Sequence, residues 1–305
     1  MNNSTLAIVI PYYKLTFFDL TLQSLANQTD KRFKLYIGND ASPENPAEVL
    51  SKYENDFDFE YHIFQENLGG KSLTQQWERC LDLAKNEEWV LFLGDDDTLG
   101  ENCVSDFYIN LEKINNEKCK VIRFATVVID QNDNIISKEY FHPETELSTD
   151  FVIRHLEGGS RTSLSEYIYK KDSVKKVGFK NLPLAWYSDI LAILEFSEFG
   201  KIYTINSSFV SFRMSNINIT TKTDNMTLKD YAAFKYYYYL LNEKGKYFDA
   251  KQKEVLYEKL EKNLGYNKKN IEVWMLFFIL YLKRLNLKRG FALMTKGLKS
   301  IFNKK

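Results

Sequence analysis

The stretch WVLFLGDDDTL, residues 89–99, decides how the chain is read. Its first half is an apolar run rich in aromatic and branched residues, the pattern of a strand buried on both faces. Its second half sets three carboxylates side by side: Asp95, Asp96 and Asp97. Like charges this close repel, and the end of a buried strand offers them little solvent. A divalent cation, Mg²⁺ or Mn²⁺, would make the crowding tolerable, because Mg²⁺ is usually held by one or two carboxylates together with phosphates and water. On residue type alone, a solvated acidic turn capping the next helix fits equally well.

The residues before this stretch alternate in period. LAIVI (6–10) reads as a buried strand stopped by Pro11, and FFDLTLQSLANQ (17–28) places Phe18, Leu22 and Leu25 at helical spacing. FKLYIG (33–38) and EYHIFQ (60–65) read as strands, PAEVLSKYEND (46–56) and SLTQQWERCLDLAKN (72–86) as helices. Strand and helix at this rhythm imply an α/β fold: a Rossmann-like, mostly parallel sheet with helices on both faces. Ligands of such sheets bind beyond the carboxyl ends of the strands. Here those ends carry Pro11, Tyr12 and Tyr13, then Asn39 and Asp40, then Asn67, then the three aspartates.

Downstream, a helix near 101–115 and a strand at KVIRFATVVID (120–130) precede a hairpin through QNDN. Residues 145–165 read as irregular, SEYIYKK as a strand, YSDILAILEFSEFG (187–200) as a helix and KIYTINSSFVSFR (201–213) as the last strand. The pattern turns helical from about Thr227, so the expected division is an α/β domain over 1–224 and a C-terminal helical extension over 225–305.

Composition narrows the partners. The 305 residues are 44% hydrophobic and 27% charged with zero formal net charge, which gives no global field for nucleic acid. The tail is different: from Tyr266 to Lys305 ten Lys and Arg face one acid, Glu272, a balance of +9. Its longest apolar run, VWMLFFILYL (273–282), is half of the ~20 residues a membrane-spanning helix needs. Bulky apolar residues mixed with cations suit a helix lying on an anionic membrane surface, and equally a helical appendage or dimer element with a solvated basic face. Three cysteines without a CxxC pair, and no basic segment before a short N-terminal apolar run, point to a cytoplasmic protein, peripheral on the membrane if the tail binds lipid.

Four motifs in order carry a resemblance: AIVIPYYK (7–14), LQSLANQTDKRFKLYIGNDAS (22–42), FLGDDDTL (92–99), and YSDILAILEFSEFG with FVSFR (187–213). Together they resemble the GT-A-fold glycosyltransferases of the inverting family 2, over roughly residues 6–215. The chain departs from the pattern at Asn39 and Gly94, where the family often has acids, and at LGGKSLTQQW, where it has a Gly-x-x-x-Ala-Arg stretch. The Gln-x-x-Arg-Trp signature of processive synthases is absent, which implies one sugar per acceptor.

The resemblance implies a nucleotide-sugar donor, UDP-linked, and a hydroxyl acceptor on a glycan or lipid-linked oligosaccharide for O-antigen or capsule. Asp96 and Asp97 are then the metal residues, and Asp95 faces the ribose or sugar. Asp40 would accept the uracil imide, with an Asx turn or helix cap as its other reading. Tyr12 and Tyr13 would stack on the base or simply pack; Pro11, Asn67 and Lys71 line the donor site, although GGKS is not a phosphate-binding loop by spacing. Arg213 would hold the diphosphate or form a surface ion pair. Asp189, at a helix start, is the expected general base, or else a cap. Trp186 and Arg161 are acceptor candidates, Trp186 with core packing as its alternative. A nucleotidyltransferase, or a non-catalytic glycan-binding protein that retains the fold, is the competing reading.

Overall fold

The computed structural model describes residues 4–218 and 220–283. They fall into two compact units: residues up to Asn181 together with Ser188–Thr221, and Leu182–Tyr187 together with the chain from Lys222.

The first unit is built on a nine-stranded sheet. In chain order its elements are β1 (Leu6–Tyr12), α1 (Phe18–Ala26), β2 (Phe33–Asn39), α2 (Ala47–Ser51), β3 (Phe59–Ile63), α3 (Leu73–Leu81), β4 (Trp89–Phe92), β5 (Thr98–Leu99) and α4 (Cys103–Asn116). Then come β6 (Val121–Ile129), β7 (Thr145–Leu147), α5 (Ser148–Leu156), β8 (Tyr167–Lys170), α6 (Lys171–Val177), α7 (Ser188–Phe196) and β9 (Lys201–Arg213). The spatial order is β3-β2-β1-β4-β8-β6-β9-β5, with β7 also on β9. β3, β2, β1 and β4 run parallel; β8 is antiparallel between β4 and β6, and β9 is parallel to β6.

Two-residue alternation in β1 explains the layers. Leu6, Ile8, Ile10 and Tyr12 join one core with Phe18, Leu22 and Leu25 of α1 and Phe107 of α4. On the other face, α3 lies so close to β2 that a Cβ on Gly38 would come 2.3 Å from Cys80 Sγ. Glycine is what permits that approach. The ring of Phe179 bridges Trp77 of α3 and Phe196 of α7, at 5.1 Å from each. Each such buried side chain contributes roughly 1.5–3 kcal/mol, so the sheet is a rigid frame for whatever its strand ends carry.

Two expectations change here. Residues 145–165 are not irregular: they contain β7 and α5, whose buried residues Ser148, Thr149, Phe151, Val152 and Leu156 form a helical stripe. The hairpin after β6 reduces to two isolated bridges, Thr126 to Tyr140 and Ile129 to Ile135.

The second unit holds α8 (Met226–Asn242), α9 (Ala250–Tyr266) and α10 (Ile271–Lys283). Asp249 starts α9 through a reciprocal capping box with Gln252. Phe277 and Tyr281 of α10 stack with ring centres 4.5 Å apart, and Tyr281 meets Tyr257 of α9 at 5.6 Å. The tyrosine run of α8 is packing: Tyr236, Tyr237 and Tyr239 are buried. Leu184, Ala185 and Tyr187 all hold left-handed φ, at 59°, 51° and 69°, an arrangement that costs roughly 1 kcal/mol or more per residue. Among the described residues no helix is long and apolar enough to cross a membrane.

Candidate active site

The carboxyl end of β4 gathers three adjacent carboxylates in the first unit. Asp95 Oδ2 accepts the backbone N–H of Tyr13 (2.8 Å) and of Lys14 (2.7 Å), which ties the exit of β1 to that of β4. Asp97 is buried and points inward. Its Oδ1 accepts the N–H of Arg213 (2.8 Å), and its Oδ2 accepts the hydroxyl of Ser165. Ser165 in turn accepts the Gly94 N–H at 3.0 Å, so a short turn before β8 braces both ends of the acidic segment.

Asp96 is the carboxylate left between them. Among the described residues its Oδ2 receives one bond, from Asn218 Nδ2 at 3.2 Å, and its Oδ1 is 3.1 Å from where a Cβ on Gly94 would sit. Burial raises the pKa of all three aspartates above the ordinary carboxylate value. For Asp96 the rise is the largest, because repulsion from Asp97 and Asp95 adds to burial. Among the described residues no three His, Cys, Asp or Glu side chains converge into a cage for a metal ion. The donor set nevertheless fits a hard cation that arrives with phosphate oxygens: one under-satisfied carboxylate, with two like charges beside it.

Arg213 is spent on this turn. Its Nε donates to the Asp96 carbonyl (2.8 Å), Nη1 to the Asp130 carbonyl (3.0 Å) and Nη2 to Asp133 (2.6 Å), while its guanidinium lies over Phe17 at 4.6 Å. The side chain is fully buried. In this structure it is a clamp on the acidic turn, and the diphosphate contact expected from the sequence is not what its donors serve.

The exit of β2 is finished differently. Asp40 accepts the N–H groups of Leu68 (2.7 Å) and Gly69 (2.8 Å) and pairs with Arg79 of α3. Arg79 also donates to the Glu66 carbonyl and covers the Phe64 ring at 3.9 Å. Asn67 accepts the Gly70 N–H at 2.6 Å. Asp40 and Asn67 therefore shape the 66–70 loop beside the strand ends, and Lys71 reaches outward to Glu66 with most of its side chain in solvent.

The two tyrosines after β1 separate. Tyr12 is buried, its ring 4.6 Å from Phe18, its hydroxyl on the Glu44 carbonyl. It is a core residue, not a base-stacking platform, because the β1 register carries it to the face of Ile8 and Ile10. Tyr13 is exposed, next to half-buried Pro11, and its carbonyl accepts the Ser42 hydroxyl at 2.6 Å.

Asp189 stands in the first turn of α7, with Ser188 anchored on the Lys180 carbonyl at 2.6 Å. Burial lifts its carboxyl to about 6, against opposing bonds from backbone N–H groups and the charge of Arg161. Arg161 acts electrostatically on Asp97, Asp189 and Glu166 alike, and so stands among them. Its guanidinium covers Phe212 at 4.4 Å and lies 3.6 Å from Glu166, yet Nη1 has no hydrogen-bond partner among the described residues. Burial pushes Glu166 up to about 7. Trp186 belongs to the second unit, where the Lys229 ammonium lies 4.7 Å over its ring.

Sequence reasoning missed Ser165, Arg79 and Asn218. Their partners lie 68, 39 and 122 residues away, and no local pattern announces such pairs.

A mostly parallel sheet covered by helices, with an acidic turn at a central strand's carboxyl end, is an α/β protein of GT-A architecture. The chain belongs to glycosyl transferase family 2, whose model matches residues 7–169. No curated protein matches it by sequence. Among solved structures it is similar to S. aureus TarS 1-349 in complex with UDP-GlcNAc, at 16% identity and a TM-score of 0.65 over 97% of this chain and 91% of that one. The complex of the same TarS fragment with UDP gives 18% identity and a TM-score of 0.61, covering 87% and 73%. GalNAc-T7 with UDP, GalNAc and Mn²⁺ is more distant, at 10% identity and a TM-score of 0.51 over 86% and 56%.

Proposed function

We propose that this chain moves one sugar from a UDP-sugar to a hydroxyl of a glycan or lipid-linked oligosaccharide, with inversion, in the assembly of a surface polysaccharide such as O-antigen or capsule. The observation that carries the reading is Asp96, half-buried between two like charges at the exit of β4, with one hydrogen bond, from Asn218, among the described residues. UDP and UDP-GlcNAc in the similar TarS structures, and Mn²⁺ in GalNAc-T7, support the choice of donor and cation.

Asp96 would hold Mg²⁺ or Mn²⁺, with Asp97 as its supporting carboxylate, and the ion would supply positive charge to the departing diphosphate. The chain does the rest. Asp95 fixes the Tyr13–Lys14 backbone against the acidic turn, so that Pro11 and Tyr13 face the nucleotide. Asp40, Asn67 and Lys71 belong to the loop on its other side. Asp189 removes the proton of the acceptor hydroxyl as that oxygen bonds to the anomeric carbon and the sugar–diphosphate bond breaks. Its lifted pKa, about 6, keeps it ionised at neutral pH and makes it a stronger base than an ordinary carboxylate. Arg161, ion-paired with Glu166 at 3.6 Å, is the first unit's candidate for the acceptor. The protein works in the cytoplasm, peripheral to the membrane that holds a lipid-linked acceptor.

The test is a panel of nucleotide sugars, read by released nucleoside diphosphate, with Mn²⁺, then EDTA, then Mn²⁺ restored. Release from a UDP-sugar that follows the metal is expected. Asp189→Ala is expected to lower turnover about 10²–10⁴-fold while donor still binds. Failure of every donor to be turned over with either metal refutes the proposal.

A further inference from the structure

Helix α10 is apolar on two sides, and only one side is used. Val273, Phe277, Leu280 and Tyr281 are buried. Ile271, Met275, Ile279 and Leu282 are 75%, 57%, 41% and 43% exposed. At 100° per residue those four positions fall in one narrow stripe along the helix. A folded protein seldom leaves such a row in water without a partner for it.

The charges beside the row say what that partner is. The only acid of α10, Glu272, is taken by Lys235 (2.8 Å) and the Tyr231 hydroxyl (2.6 Å). Lys268, Lys269 and Lys283 are exposed at the two ends of the helix. The sequence after Lys283 lies outside the described residues; it adds Arg284, Lys288, Arg289, Lys296, Lys299, Lys304 and Lys305 without one acid, interleaved with Leu, Phe, Met and Ile. A second copy of this chain would bring the same cations against their likenesses. The chain's own tail, folded over the stripe, would add cations and neutralise none. A bilayer with anionic headgroups satisfies both features, with hydrocarbon for the stripe and negative charge for its flanks.

We infer that the exposed face of α10 is a seat on anionic membrane lipid. This deepens the lipid-linked acceptor of the proposed function and rests on that reading only for its purpose, since binding is measured without sugar transfer. The full chain is sedimented with vesicles of phosphatidylcholine alone, or of phosphatidylcholine mixed with phosphatidylglycerol. Binding to the mixed vesicles only, weakened by added salt, is expected. The double variant Met275→Glu/Ile279→Glu should lose about tenfold or more of that binding, while it keeps its fold by circular dichroism and its release of nucleoside diphosphate in solution. Equal binding to both vesicles, undiminished binding by the double variant, or a concentration-dependent dimer that the variant abolishes would each overturn the inference.

Discussion

β2 and β4 run parallel in one sheet, and aspartates follow the carboxyl end of each. At the exit of β2, Asp40 has both oxygens filled by two backbone N–H groups and the Arg79 guanidinium. At the exit of β4, Asp97 has both oxygens filled and Asp95 holds two backbone N–H groups on one oxygen, while Asp96 between them has a single longer bond from Asn218. A buried carboxylate that the protein satisfies holds the protein together; a half-buried one crowded by like charges and given few protein donors is open to a ligand. The contrast separates scaffold from chemistry among residues of one type at matching places.

The sharpest way to break that contrast is Asp96→Asn. Loss of a charge that matters only with diphosphate bound should cost about 10²–10³-fold in turnover. The same change relieves repulsion with Asp95 and Asp97, so without metal the melting temperature should rise, by the equivalent of about 1 kcal/mol. Activity lost and stability gained is the signature of a site residue. A fall in both, measured by product release and thermal melting in EDTA, would place Asp96 with the scaffold.

Asp40→Ala should do the reverse. It strands Arg79, whose side chain is 20% exposed, and unties the N–H groups of Leu68 and Gly69. A loss of about 2–3 kcal/mol is expected from breaking a nearly buried pair, together with a raised KM for donor because the 66–70 loop loosens. Unchanged stability with altered nucleotide preference would instead give Asp40 the base-reading role that its sequence position suggests.

The same contrast explains how much of the site was legible in the sequence. The strand exits were, because four apolar runs stop abruptly at polar residues, and period two alone places the ends of a parallel sheet together. Tyr12 reads equally as stacking or packing on residue type, and the fold takes the packing alternative, since Tyr12 continues the Ile8, Ile10 alternation into the core. The inward turn of Arg213 had no such signal, since a strand-terminal arginine reads the same whether its partners are Asp130 and Asp133 or a ligand. α5 was hidden in a segment whose helical stripe includes Ser148 and Thr149, which hydropathy does not count as core. What distinguishes Asp96 from Asp97 is the hydroxyl of Ser165, 68 residues away, and only the fold brings that distance to zero.

Acidity offers a third, smaller test. Asp189 is raised to about 6 by burial, so a rate that needs its ionised form is full above that pH and falls as protons bind below it. At saturating donor and Mn²⁺, kcat should drop about tenfold for each unit below this value. The Asp189→Asn variant, already slow, should lose the dependence. A profile that stays flat to pH 4 in the parent chain would remove Asp189 from proton transfer and leave it as the first-turn acid of α7.

Lys71 gives the smallest expected effect and therefore the cleanest control. Its Nζ is 2.8 Å from Glu66, but the side chains of the two are 71% and 61% exposed. Two solvated chains so paired exchange one set of hydrogen bonds for another with water and gain almost nothing net. Lys71→Ala should leave the melting temperature unchanged and should alter donor KM by less than about twofold, in contrast to the Asp40 variant at the base of the same loop. A tenfold rise in KM with kcat intact would mean that Lys71 swings from Glu66 onto the donor phosphates once they arrive. The 66–71 loop would then bind charge as well as shape, and the line drawn here between scaffold and chemistry would have to be moved to include it.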